Sequence, residues 1–141
     1  HKLKIPLIHL DQHYWKPNWE RPSAEEWTHT VVSLTKGKAW IIEGNYKSSL
    51  HIRIPACDTI IFLDYPRVFA LWRAIKRYLQ SMYQQRPEIN NNREKIDLPF
   101  LKWILTYPRK EMLLEIEKYT KKQKLIVIKS PKELAAFLKS C

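Results

Sequence analysis

The amino-acid sequence predicts an α/β fold, a three-layer arrangement of one parallel sheet with helices on both faces. Three observations predict it. Apolar runs end in an acid at three places, Leu7-Ile8-His9-Leu10-Asp11, Trp40-Ile41-Ile42-Glu43 and Ile60-Ile61-Phe62-Leu63-Asp64. Buried strands read this way when they deliver a carboxylate to the C-terminal edge of a parallel sheet, where α/β folds take their ligands. Segments of helical spacing lie between these runs, and a fourth short apolar run, Leu125-Ile126-Val127-Ile128, comes late in the chain; strands alternating with helices are the pattern of βαβ units.

The elements follow in order. A strand from Ile5 to Leu10 leads into an irregular aromatic loop, His13-Tyr14-Trp15-Lys16-Pro17-Asn18-Trp19. Ser23-Ala24-Glu25-Glu26 fits a capping box, so a helix starts there, carries Trp27, Val31 and Leu34 inward, and stops at Gly37. The second strand is Trp40 to Glu43. Lys47 to Cys57 is a polar, partly helical connection containing Arg53, and it leads to a strand from Thr59 to Asp64. Pro66 suits the first turn of a long helix, with Phe69, Trp72, Lys76 and Tyr83 on one side and Val68, Leu71, Ile75 and Leu79 on another. That helix ends by Arg86-Pro87, before a polar loop with three asparagines, Asn90 to Asn92. Asp97 caps a helix through Phe100, Leu101, Ile104 and Leu105, which Pro108 interrupts before it resumes to Tyr119. After the fourth strand, Ser130-Pro131-Lys132-Glu133 caps a last helix that turns Leu134, Phe137 and Leu138 to the core.

Composition bounds the function classes. A chain of 141 residues, 45% hydrophobic with six Trp and seven Tyr, suits one packed domain and argues against disorder. No apolar run reaches the roughly 18 residues of a membrane span and no signal-peptide pattern opens the chain, so the expectation is a soluble, cytoplasmic protein without a membrane partner. Cys57 and Cys141 have neither CxxC spacing nor a disulfide framework. His9, Asp11 and His13 alternate, which on a strand would put them on one face, but no cysteine or HExxH spacing accompanies them and a zinc site is not expected. The net charge of +11 is uneven: residues 1 to 66 carry eight Lys/Arg against seven Asp/Glu, and residues 67 to 141 carry seventeen against seven. Such a field attracts phosphate, on a nucleotide or along a nucleic acid.

Several motifs, in order and spacing, resemble the adenylate-kinase-like branch of P-loop kinases, in particular the DNA topology modulation (FlaR-related) proteins. They are His9-Leu10-Asp11 with Trp15-Lys16-Pro17-Asn18-Trp19, Trp40-Ile41-Ile42-Glu43-Gly44-Asn45-Tyr46, Arg53-Ile54-Pro55-Ala56-Cys57-Asp58-Thr59, Phe62-Leu63-Asp64-Tyr65-Pro66-Arg67, Leu71-Trp72-Arg73-Ala74-Ile75-Lys76-Arg77, and Phe100-Leu101-Lys102-Trp103 leading to Tyr107-Pro108-Arg109. The departure is large: the family opens with a strand, a GxxxxGK[ST] phosphate loop and a helix, and this chain contains no such motif. The resemblance therefore implies a truncated P-loop nucleotide-kinase-like domain over residues 1 to 141, lacking its first strand and phosphate loop and inactive as it stands.

What the resemblance implies for the site is phosphoryl transfer from ATP, with Mg²⁺, to a small molecule. Glu43 matches the acid that holds magnesium through water. Asp11 matches the acid that orients or deprotonates the acceptor hydroxyl, and Trp15, Trp19 and Arg53 fall on the acceptor side. Arg73 and Arg77 match the pair whose first member packs on adenine and whose second reaches the phosphates, uses that suit a planar, permanently charged fork. Arg86, Arg93 and Arg109 flank or follow a lid expected around residues 86 to 97 that closes over the phosphates. Two alternatives stand beside the kinase. One is a basic protein that binds nucleic acid non-specifically and affects DNA topology, although no helix-turn-helix, RNA-recognition or zinc-finger signature accompanies the charge. The other is a non-catalytic scaffold that kept the fold and lost the loop.

Overall fold

In a computed structural model, residues 4–81 and 97–140 are described. They form a mixed α/β architecture of seven helices and four short strands. Strands β1 (Leu7–His9) and β2 (Ile41–Glu43) pair in parallel, with Leu7 opposite Ile41, Ile8 opposite Ile42 and His9 opposite Glu43. Strands β3 (Thr59–Leu63) and β4 (Lys124–Ile128) pair in parallel, from Thr59 opposite Lys124 to Leu63 opposite Ile128. All four expected strands exist, but they form two sheets of two strands and not one sheet. No hydrogen-bonded ladder joins the pairs among the described residues, and that break corrects the single-sheet expectation.

Helices α1 (Leu10–Tyr14) and α2 (Ala24–Leu34) lie between β1 and β2. The capping box of α2 is complete: Glu26 N–H donates to Ser23 Oγ at 3.1 Å, and Ser23 N–H donates to Glu26 Oε2 at 2.8 Å. Two orphan donors at the helix start are thereby satisfied, which is why the chain turns into a helix there. Helix α3 (Leu50–Ala56) joins β2 to β3, α4 (Arg67–Ser81) follows β3, and α5 (Leu98–Thr106), α6 (Arg109–Tyr119) and α7 (Pro131–Ser140) complete the described chain. Asp97 caps α5 by accepting from Phe100 N–H at 2.8 Å. Pro108 separates α5 from α6 and forces Tyr107 into an extended conformation, φ −51° and ψ 123°.

Two small cores hold the pairs. Leu10, Trp27 and Val31 are buried with Ile42, Tyr46 and Ile52 packed against them. Leu50, Ile54, Met112 and Ile116 are buried with Ile60, Phe62, Tyr107 and Leu125 against them. Helix α3 contributes Ile52 to the first and Leu50 and Ile54 to the second, so one helix spans both sheets. The opposite face of β3 is bare: its pleat alternates, and Ile61 and Leu63 are each about half exposed, as are Leu7 and, to a lesser degree, Ile41. Opposite Leu63, and so on the same face, Ile128 of β4 is buried, and α7 packs against β4.

The first strand is shorter than expected because the chain enters α1 at Leu10, which places Asp11 and His13 on a helix. The strand alternation of His9, Asp11 and His13 does not exist, and among the described residues no group of three or more His, Cys, Asp or Glu side chains is placed to hold a metal. Tyr83, Arg86, Arg93 and all of the expected lid except Asp97 lie outside the described residues. No described helix is long and apolar enough to cross a membrane.

Candidate active site

The C-terminal ends of β1, β2 and β3 each deliver an acid, and side chains from distant segments meet them there. After β1, Asp11 Oδ1 accepts a hydrogen bond from the Tyr46 hydroxyl at 2.5 Å. At the end of β2, Glu43 Oε1 lies 2.7 Å from Nδ1 of His9, its cross-strand neighbour. After β3, Asp64 Oδ1 lies 2.9 Å from Arg109 Nη1. The Arg109 N–H points instead at the Tyr65 carbonyl, 2.8 Å away, so the contact with Asp64 is an ion pair without an aligned hydrogen bond.

The loop from Gly44 to Tyr46 organises the edge. Gly44 has φ +139°, a region that L side chains rarely adopt, and a Cβ there would stand 2.8 Å from the Cβ of fully buried Leu10. Asn45 Oδ1 accepts from the Tyr107 hydroxyl at 2.8 Å. Arg53, reaching up from α3, donates to the Gly44 carbonyl at 3.1 Å, to the Tyr46 carbonyl at 2.9 Å and from Nε to Ser49 Oγ at 3.0 Å. Three of the five guanidinium N–H groups thus brace the loop that carries Tyr46. Burial lowers the Arg53 pKa from its ordinary value, the desolvation cost of keeping a cation inside.

Tyr107 and Arg109 bracket the α5–α6 junction and reach Asn45 and Asp64, respectively. Three residues of backbone therefore touch the ends of β2 and β3 together. The segments that follow β2 and β3 are thus linked through one short stretch of chain.

Aromatic rings cluster around Tyr46, the partner of Asp11. Tyr14 packs edge-on against Trp15 and Trp27, with centroids 5.0 and 4.9 Å away, and Tyr46 lies 4.6 Å from Tyr14 and 5.0 Å from Trp27. Trp15 and Trp19 meet edge to face at 5.3 Å, and the Arg21 guanidinium lies 5.5 Å from the Trp15 centroid. Trp19 itself has φ +62°, following Asn18 at +63°, a strained turn worth about 1 to 3 kcal/mol for the tryptophan. On α4, Arg73 lies 6.0 Å from the Tyr65 ring and 5.9 Å from that of Phe69. Arg77 lies one turn further along the exposed side of the same helix.

The structure therefore gathers Asp11, Glu43 and Arg109 at one edge with Asp64, places Trp15 and Trp19 in one aromatic cluster beside Asp11, and carries Arg73 and Arg77 on α4. Arg53 is committed to the loop rather than standing out from it, and Arg86 lies outside the described residues. Sequence reasoning missed His9 and Tyr46. His9 meets Glu43 through the β1–β2 register, which local pattern does not give. For Tyr46 there was no signal beyond its place three residues after Glu43.

Burial, and then the hydrogen bond to Asp11, push the Tyr46 hydroxyl pKa well above the ordinary value of 10.0, and burial raises that of Tyr107. A raised pKa in the folded state means stability that is whole below the unfolded value and is lost as pH climbs toward the folded one. The melting temperature is accordingly expected to fall as pH rises above about 10, and to fall less steeply in Tyr46→Phe. Calorimetry from pH 8 to 12 checks this, and parallel curves for the two proteins would refute the role given to Tyr46. Comparison with protein-family models, with curated proteins and with solved structures finds no match for this chain.

Proposed function

We propose that this chain is the greater part of a P-loop kinase-like domain that transfers phosphate from ATP to a small-molecule acceptor. One observation carries the reading: two parallel strand pairs that are not bonded to each other, while the acid-bearing segments after β2 and β3 are tied together through Tyr107 and Arg109. An unpaired strand edge leaves a row of N–H and C=O groups without partners, which is costly inside a fold. A further parallel strand between β2 and β3 would satisfy both edges, giving a five-stranded sheet. A helix following that strand would cover Ile61 and Leu63.

The residues present fit part of the chemistry. Glu43 and Asp64 offer hard oxygen ligands suited to a hydrated magnesium ion, and Arg73, Arg77 and Arg109 offer the fixed positive charge that phosphoryl transfer uses. Asp11, held by Tyr46 on one oxygen, keeps its second oxygen for an acceptor hydroxyl. The backbone N–H cradle for the phosphates is not among these residues and would come from the loop after the added strand.

The test is direct. The DNA upstream of the His1 codon is read for an in-frame GxxxxGK[ST], and MgATP is titrated by calorimetry into the 141-residue chain and into the extended protein. The expected result is no measurable binding by the first and micromolar, magnesium-dependent binding by the second. A cooperative melt at ordinary mesophile temperatures together with micromolar MgATP binding by the 141-residue chain would overturn the placement of the nucleotide site. Absence of the motif would favour the scaffold. A screen of nucleosides, nucleotides and sugars then identifies the acceptor.

A further inference from the structure

Helix α4 carries an apolar seam that no described element covers. Val68 is 75% exposed, Trp72 54%, Ile75 41% and Leu79 54%. Their spacing of four, three and four residues is the a/d spacing of a helix that packs on another helix. Projected at 100° per residue, the four fall within about 60° of the helix circumference and run about 16 Å along its axis. Trp72, Ile75, Lys76 and Leu79, with Gln80 beside them, line a shallow apolar recess. The first four are positions i, i+3, i+4 and i+7, the diamond of four residues that receives one side chain of a facing helix.

Charge narrows the partner. From Arg67 to Ser81 the helix holds Arg67, Arg73, Lys76 and Arg77 and no Asp or Glu. Lys76 borders the seam with its ammonium 5.2 Å from the Trp72 centroid, while Arg67 and Arg73 lie further out on either flank. A second copy of this helix would set cations against cations. A membrane surface calls for an apolar face of 100° or more, wider than this seam. We propose that α4 docks an acidic amphipathic helix of a partner protein, with apolar residues in the seam and carboxylates facing Lys76 and its neighbours.

The probe is a fluorescent three-heptad peptide with Ile at a, Leu at d and Glu at e and g, its binding followed by anisotropy at low and high salt. Controls are the same peptide with Lys in place of Glu, and a scrambled sequence. The expected result is saturable binding at least about tenfold tighter than either control, weakened by salt. Ile75→Glu and Leu79→Glu, both on exposed positions and checked for folding by circular dichroism, should each lose it. Lys76→Glu should shift preference toward the Lys peptide. Equal binding of both charged peptides, failure of the Glu peptide to bind, or unchanged binding by the two seam variants would overturn the proposal. So would concentration-dependent dimerisation lost in Ile75→Glu, or equally tight, seam-dependent binding to phosphatidylglycerol vesicles. None of these readouts depends on ATP, so the seam and the kinase reading can fail separately.

Discussion

Arg53→Met is expected to remove about 2 to 4 kcal/mol of folding stability, a large share of what a domain of this size holds. Methionine keeps the stem and its packing but none of the donors. The Gly44 carbonyl and the Oγ of Ser49, a residue only 1% exposed, lose the bonds they receive from the guanidinium, while the Tyr46 carbonyl keeps those from the Ser49 N–H and hydroxyl. Each buried polar group left without its partner costs on the order of 1 to 3 kcal/mol. Against that, the variant escapes the burden of a desolvated cation, which keeps the total below the simple sum. Arg53→Lys should recover little, since one ammonium cannot reach three acceptors set in different directions. Urea denaturation gives the number. If Arg53→Met stays within about 0.5 kcal/mol of the parent while phosphate-acceptor binding collapses, Arg53 is a ligand for the acceptor and not a brace for the loop.

Gly44→Ala is expected to be comparably severe, at about 2 to 4 kcal/mol, for a different reason. The added methyl meets the Leu10 Cβ at 2.8 Å, and Leu10 has no exposed surface through which to retreat. Overpacking of this kind costs about 1 to 3 kcal/mol, and holding an alanine at a φ that glycine alone adopts readily adds about 1 to 3 more, part of which backbone relaxation recovers. The internal control is Gly37→Ala. A methyl there would lie 3.5 Å from Trp40 Cδ1, an ordinary contact, so a change within about 1 kcal/mol is expected. Equal melting temperatures for the two variants would show that the loop after β2 yields more easily than its packing implies.

The parts of this fold written into local pattern were legible in the sequence. Ser23 and Glu26, Asp97, and Ser130 with Glu133 mark helix starts through side chains that reach backbone within a few residues, and the structure uses all three. The strand positions were legible because apolar runs bounded by acids and turn residues have few other uses. Strand pairing was not, since whether two runs share a ladder depends on what lies between them in space. The bare faces of Ile61 and Leu63 were invisible for the same reason: alternation tells which residues share a face, not whether anything covers it. At the candidate site the three acids could be placed from sequence, but their partners could not. His9, Tyr46 and Arg109 meet them across 34, 35 and 45 residues of chain, and no local rule spans such distances. Arg53 illustrates the limit most sharply. As an arginine beside a predicted ligand edge it reads as an anion receptor, and only its three acceptors reveal a brace.

The parallel pairing of β3 with β4 also fixes a schedule for the chain as it is made. β1 finds β2 after 34 residues, Leu7 to Ile41, whereas Thr59 waits 65 residues for Lys124. In equilibrium the longer closure costs only about 0.6 kcal/mol more. In time it costs more: at roughly 5 to 20 residues per second, Thr-Ile-Ile-Phe-Leu stays without its ladder for about 3 to 13 s of synthesis. During those seconds a strongly β-prone pentapeptide is open to any strand that reaches it first, and a ribosome-associated chaperone that shields it would decide yield before thermodynamics has any say.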